Sequence, residues 1–120
     1  MAQTLDTLAA ILAPTEVFLG GMPAAPDTAL ALQEVTAATA TPSASHWFGG
    51  TDLTHTVQLR ARAADAATAY AACEAAANRL HRYHDDEVSI TLATPILDAG
   101  WDDATPARRH YTVNLTIRRF

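Results

Sequence analysis

Lysine is absent from this 120-residue chain, and cysteine occurs once, at Cys73. One cysteine excludes a disulfide within the chain and a thiolate cage for a metal. Without lysine there is no P-loop, and neither Gly20-Gly21 nor Gly49-Gly50 has the spacing of a dinucleotide loop. Cations are scarce in general: eight arginines stand against thirteen acids, a formal charge of −5. That balance argues against a sequence-independent nucleic-acid binder, which needs surplus cations for the phosphates. It leaves room for nucleic acid to pass close by without being gripped. Serine is limited to Ser43, Ser45 and Ser89, none of them in a nucleophile elbow. No apolar run approaches the ~20 residues of a membrane span. The opening MAQTLDTLAA carries Asp6 and no basic segment, unlike a secretory signal. The expectation is a soluble protein made in a reducing compartment.

What is present is a globular composition, 49% apolar and 18% charged, in a length that suits one domain, 1–120. Leu5, Leu8, Ile11 and Leu12 fall on one face of a short helix that Pro14 ends. Val17-Phe18-Leu19, bounded by Gly20-Gly21, reads as a short buried strand, and 28–35 as another. Residues 36–52, rich in Ala, Thr, Ser and Gly, read as a long projecting loop or loose hairpin, with Trp47-Phe48 inside it. His55, Val57, Leu59 and Ala61 alternate with Thr56, Gln58, Arg60 and Arg62, a half-buried strand. Asp65 is placed to cap a helix to His84, with a stripe of Ala66, Tyr70, Cys73, Ala77, Leu80 and His84. Val88, Ile90 and Leu92 predict a strand that Pro95 bends. Residues 100–106 read as a turn-rich connection. Tyr111, Val113, Leu115 and Ile117 predict the clearest strand, facing inward, with His110, Thr112, Asn114, Thr116 and Arg118 outward. The order predicts an α+β two-layer domain: a mostly antiparallel sheet, the long helix packed on one face, and a short N-terminal helix.

No catalytic constellation emerges from the residues. His81, His84, Asp85 and Asp86 form the densest group of metal-ligand types, but two histidines three apart without the adjacent glutamate do not make a zincin motif. Histidine at a helix C-terminus complements the helix dipole instead. Cys73 sits in an alanine-rich stripe, the setting of a buried core residue and not of a reactive thiolate. No cofactor or metal is expected. Trp47 and Phe48 either plug the edge of the core or anchor another chain, as large aromatics do at interfaces. Arg60, Arg62, Arg108, Arg109, Arg118 and Arg119 either form a solvated sheet face or pair with acids of an adjacent subunit. The surplus of acids and arginine's planar fork favour the second.

Several runs in order resemble the small minor capsid or tail-terminator proteins of long-tailed bacteriophages. They are Val17-Phe18-Leu19-Gly20-Gly21-Met22-Pro23, Pro26-Asp27, Ala29 to Glu34, Val57 to Arg62, Tyr70 with Leu80-His81, Pro95 to Asp103, and Arg109 to Leu115. The resemblance covers nearly the whole chain, and the stretch Thr36–Ser45 departs from it. It implies a structural virion protein, made in the host cytoplasm and located at the head–tail junction. It implies a hexameric ring at the head-proximal end of the tail tube that stops tube growth and meets the neck proteins of the head. DNA would pass through without specific binding, no membrane would be involved, and no catalytic residue transfers. On this reading Trp47, Phe48, Arg60, Arg62 and Arg118 are candidates for subunit contacts. Asp85, Asp86, Asp102 and Asp103 are candidates for a neutral or acidic channel lining that repels phosphate. Another connector or stopper protein of the neck is the alternative. A small ligand-binding α+β domain is a further one, disfavoured by the apolar inward positions.

Overall fold

The computed structural model describes residues 2–42, 51–86 and 88–119. The elements are α1 (Ala2–Leu12), β1 (Phe18–Leu19), β2 (Ala29–Pro42), β3 (Thr51–Ala63), α2 (Ala66–Leu80), β4 (Val88–Leu92), β5 (Leu97–Trp101) and β6 (Arg109–Arg119). They form one sheet in the order β1-β2-β3-β6-β4, with β5 also on β6. All pairings are antiparallel except β1 with β2. The two-layer α+β architecture read from the sequence is therefore the observed one.

The last strand in the chain is the centre of the sheet. β6 pairs with β3 from Arg119 opposite Leu53 to Arg109 opposite Ala63. Its other edge is divided. β4 takes the C-terminal half, Leu92 opposite Leu115 to Val88 opposite Arg119. β5 takes the N-terminal half, Leu97 opposite Thr112 to Trp101 opposite Arg109. Pro95 explains the division, since it cannot donate to the ladder. The gap is closed at Asn114, whose N–H donates to Thr94 Oγ1 at 3.0 Å while its carbonyl accepts from the Ala93 N–H at 2.7 Å. No β6 backbone group is orphaned there, as buried backbone requires.

α2 connects β3 to β4. Both run antiparallel to β6, so α2 is a crossover between parallel strands with β6 inserted between them. Asp65 caps α2 as expected, its carboxylate accepting from the Thr68 N–H at 3.0 Å. α2 ends at Leu80, short of the expected His84, because His81 is already extended and Arg82 is left-handed with φ 65°. Its buried stripe is Ala69, Cys73, Ala76, Ala77 and Leu80. Tyr70, expected within the stripe, is 42% exposed on its flank. α1 buries Leu5, Leu8 and Leu12 against α2 and β2. Its C-terminal carbonyls accept from Arg79 of α2: Ile11 at 2.6 Å, Leu12 at 2.7 Å and Ala13 at 2.9 Å. This places a cation where the helix dipole favours one.

Four further readings of the sequence change. Thr36–Pro42 and Thr51–Asp52, read as a long loop or loose hairpin, are strand, so the hairpin alternative holds: β2 and β3 form one long hairpin, and the molecule measures 56 × 22 × 22 Å. The signal was lost because β2 has register shifts between Glu34 and Thr36 and between Thr36 and Thr39. Each such bulge reverses the inside–outside alternation on which a strand reading depends. Trp47 and Phe48 lie outside the described residues. Secondly, Val17–Leu19 is not a buried strand: β1 is a two-residue edge strand with Leu19 42% exposed. Thirdly, Gly100-Trp101 is strand, not turn, its irregular register met by Gly100 at φ 83°. Finally, the second face of the sheet is not simply solvated, because Ala29, Ala31, Arg62 and Thr112 are buried there.

On the core face Val57, Leu59, Ile90, Val113, Leu115 and Ile117 are fully buried. Val113 sits mid-strand on β6, opposite Leu59. Replacing it by aspartate buries an unpaired charge at the centre of the sheet, and we expect Val113→Asp to lose at least ~3 kcal/mol of stability in urea denaturation. A near-native midpoint would refute the central placement of β6.

Candidate assembly surfaces

The polar side chains fall into three groups, each positioned by a particular strand end or turn. The first is built on Arg62, at the end of β3. It is 2% exposed. Its guanidinium donates to the carbonyl oxygens of Asp27 at 3.2 Å, Pro23 at 2.5 Å and Pro26. These belong to the proline-rich connection before β2, which is thereby held over the second face of the sheet. Burial, then the neighbouring Arg108 charge, lowers the pKa of Arg62. Arg62 is spent inside the chain, which corrects the expectation that it faces a neighbouring subunit.

The second group joins the connection before β6 to that same proline-rich segment. Asp102 Oδ1 accepts from the backbone N–H groups of Ala104 and Arg108, both at 3.0 Å. Its Oδ2 accepts from Arg108 Nε at 2.8 Å and pairs with His110 Nε2 at 3.0 Å. The other ring nitrogen of His110 meets Arg60 Nη1 at 3.1 Å. With Nε2 donating to Asp102, Nδ1 is the acceptor that Arg60 requires. Arg108 reaches on to the Ala24 carbonyl at 2.6 Å and stands 3.6 Å from Asp27. The His110 hydrogen bond, with those from Arg108 and Ala104, holds the Asp102 carboxyl far below the usual aspartate range.

The third group is exposed. Arg109 Nε donates to Asp98 Oδ1 at 2.9 Å, and a second hydrogen bond to Asp98 Oδ2 makes the pair bidentate. This pairing raises the Arg109 pKa and lowers that of Asp98. The guanidinium lies 5.2 Å from the Trp101 ring centre and 5.9 Å from that of Tyr111. Tyr111 meets Tyr70 of α2 edge-to-face at 5.4 Å. Trp101 is 52% and Leu97 45% exposed, on an edge strand. The sequence reading missed this patch because Trp101 was placed in a turn, where no neighbour could be assigned to it.

The remaining candidates are dispersed. Asp85 accepts from the Val88 N–H at 2.9 Å and the Tyr83 hydroxyl at 3.1 Å, beside exposed Asp86. They precede β4, at the Arg119 end of β6, whereas Asp102 and Asp103 sit at its Arg109 end. Ten strand residues, about 34 Å, separate the two pairs. Arg118 is exposed. His81 Nδ1 accepts from the Leu92 N–H at 3.2 Å. Among the described residues no three His, Cys, Asp or Glu side chains converge as a metal site. Cys73 is fully buried, and burial pushes its thiol up to about 11. His55, on the core face as expected, pairs with Glu34 at 2.9 Å. Among the described residues no helix is long and apolar enough to cross a membrane.

The Asp102 group makes acid stability testable. Its folded pKa is lowered from 3.8, so its contribution is fully present above that value and fades as pH falls below it. Wild type should melt above Asp102→Asn at pH 7, and the two should converge towards pH 2. A difference independent of pH would refute the role given to the ionised carboxylate.

No family model and no curated protein matches the chain. Among solved structures, it is similar to a chain in the "virion of native gene transfer agent (GTA) particle", with 18% identity and a TM-score of 0.55. The likeness covers 99% of this chain and 91% of that one. At that identity it is the fold, over essentially its whole length, that the two chains share.

Proposed function

We propose that this chain is a structural protein of a phage-like virion, and within it the tail terminator. In this role it forms a ring at the head-proximal end of the tail tube, stops tube growth and joins tail to head. The observation that carries the proposal is the fold likeness to a chain of a gene transfer agent virion, which extends over almost the full length of both chains. A fold alone does not fix function. Two further features support the reading. The groups built on Arg62, Asp102 and Arg109 hold turns and strand ends together. The formal charge of −5 suits a passage in which DNA slides without being trapped.

A chain of 12.8 kDa cannot surround DNA alone, so the role requires several copies about an axis, six by resemblance. Its partners are further copies of itself, the tail tube protein and a neck protein of the head. Arg60 and Arg118, with Trp47 and Phe48, remain candidates for contacts between copies. Exposed Asp86 and Asp103, with their neighbours Asp85 and Asp102, are candidates for the channel wall. Since the acid pairs lie at opposite ends of β6, a single channel takes both only if β6 runs along its axis. Another ring-forming neck protein fits the same observation.

Particles lacking the protein distinguish the readings. We expect tails of abnormal length that fail to join heads. Particles with tails of normal length, joined to heads, would overturn the assignment. Loss of head joining with tubes of normal length would favour the stopper reading.

A further inference from the structure

We propose that the two flanks of α2 carry the two halves of one contact between copies of this chain, with Trp101 of one subunit entering a cleft beside Arg79 of the next. The proposal deepens the ring reading above and rests on it. A ring needs a heterologous contact, meaning two different surfaces on each subunit that face opposite ways. Tyr70 and Arg79 are nine residues apart, two and a half helical turns, and so stand on opposite sides of α2. Beyond Tyr70 lies the exposed patch on β5. Beyond Arg79 lies a cleft against α1 and β2, at the other edge of the sheet.

The first surface is built as a knob. Trp101 is the most exposed large apolar side chain among the described residues, and Arg109 rests against one face of its ring. Asp98 grips Arg109 with both oxygens, so the indole is supported by a rigid pair whose charges already balance. Aromatic and arginine side chains held in this way are the usual energetic centre of a protein contact.

The second surface is built as a hole. A cleft of about 310 Å³ is lined by Leu12, Leu30, Ala72, Ala75, Ala76 and Arg79. A second, of about 250 Å³, continues it past Thr15, Leu30 and Ala72 to Glu16. Alanine at 72, 75 and 76 is what leaves the space. Arg79 already donates its N–H groups to the carbonyls that end α1, which leaves the guanidinium face for a π-system. Electrostatics select the same pairing. The charges beside the knob are already balanced, whereas Arg79 in the hole rests on neutral carbonyls, so the cation of the hole is the one that faces the electron-rich indole.

Two variants of the full chain test the contact. Trp101→Ala removes the knob, and Ala75→Arg, at an exposed helix position, fills the hole. Both should keep the wild-type melting temperature. By sedimentation, each alone should self-associate roughly thirty-fold more weakly or worse. An equimolar mixture should form a dimer and nothing larger, because each variant retains one intact surface. Full rings in either variant, or a folded mixture that stays monomeric, would overturn the contact while leaving the ring. A wild-type chain that is monomeric at every concentration would overturn the ring reading, and the contact with it.

Discussion

The structure depends on a strand at the end of the chain finding its place at the centre of the sheet. β6 shares its full length with β3 on one side, and divides the other between β4 and β5. Remove β6 and β4 and β5 have no partner, α2 loses half of its floor, and the β2–β3 hairpin becomes a ribbon with little support. Most of the core is therefore assembled by contacts between residues far apart in sequence. The inward row Val113, Leu115 and Ile117 is accordingly buried to the last methyl.

Arginine does in this molecule what the absence of lysine hints at. Arg62, Arg79 and Arg108 each turn a guanidinium onto backbone carbonyls of irregular segments: the proline-rich connection before β2 and the end of α1. A planar fork can serve several carbonyls from one side chain, whereas an ammonium acts as a point charge. The irregular segments lack ladders of their own, and these side chains supply the missing donors. The same residue type was expected to face other subunits, and at Arg62 that expectation failed because its carbonyl partners come from the chain itself.

What the sequence revealed and what it hid divide along physical lines. The alternation in β3 and β6 was legible because those strands run without a bulge, one row fully inside. The cap at Asp65 was legible because it is local chemistry. The outer part of the β2–β3 hairpin was not, since its bulges scramble the period and threonine-rich composition imitates a loop. Arg62 and Thr112 read as outward-facing because alternation places them on the outer face, and it cannot reveal that the 20–28 connection folds back over that face. The Trp101–Arg109–Tyr111 patch needed the pairing of β5 with β6, a long-range fact. The dispersal of Asp85 and Asp86 from Asp102 and Asp103 likewise follows from which end of β6 each connection meets.

The sheet thus has two unlike edges, an aromatic and arginine-bearing one at β5 and a small-residue cleft near β1 and β2, with acids at both ends of its central strand. A heterologous contact between such edges, as proposed above, closes into a ring or opens into a filament, whereas a symmetric dimer uses one surface twice. Images of the purified full-length protein are the most direct measurement. Closed rings of cyclic symmetry with a central opening are expected. Two-fold dimers joined through identical surfaces, or single subunits at all concentrations, would contradict the proposed ring.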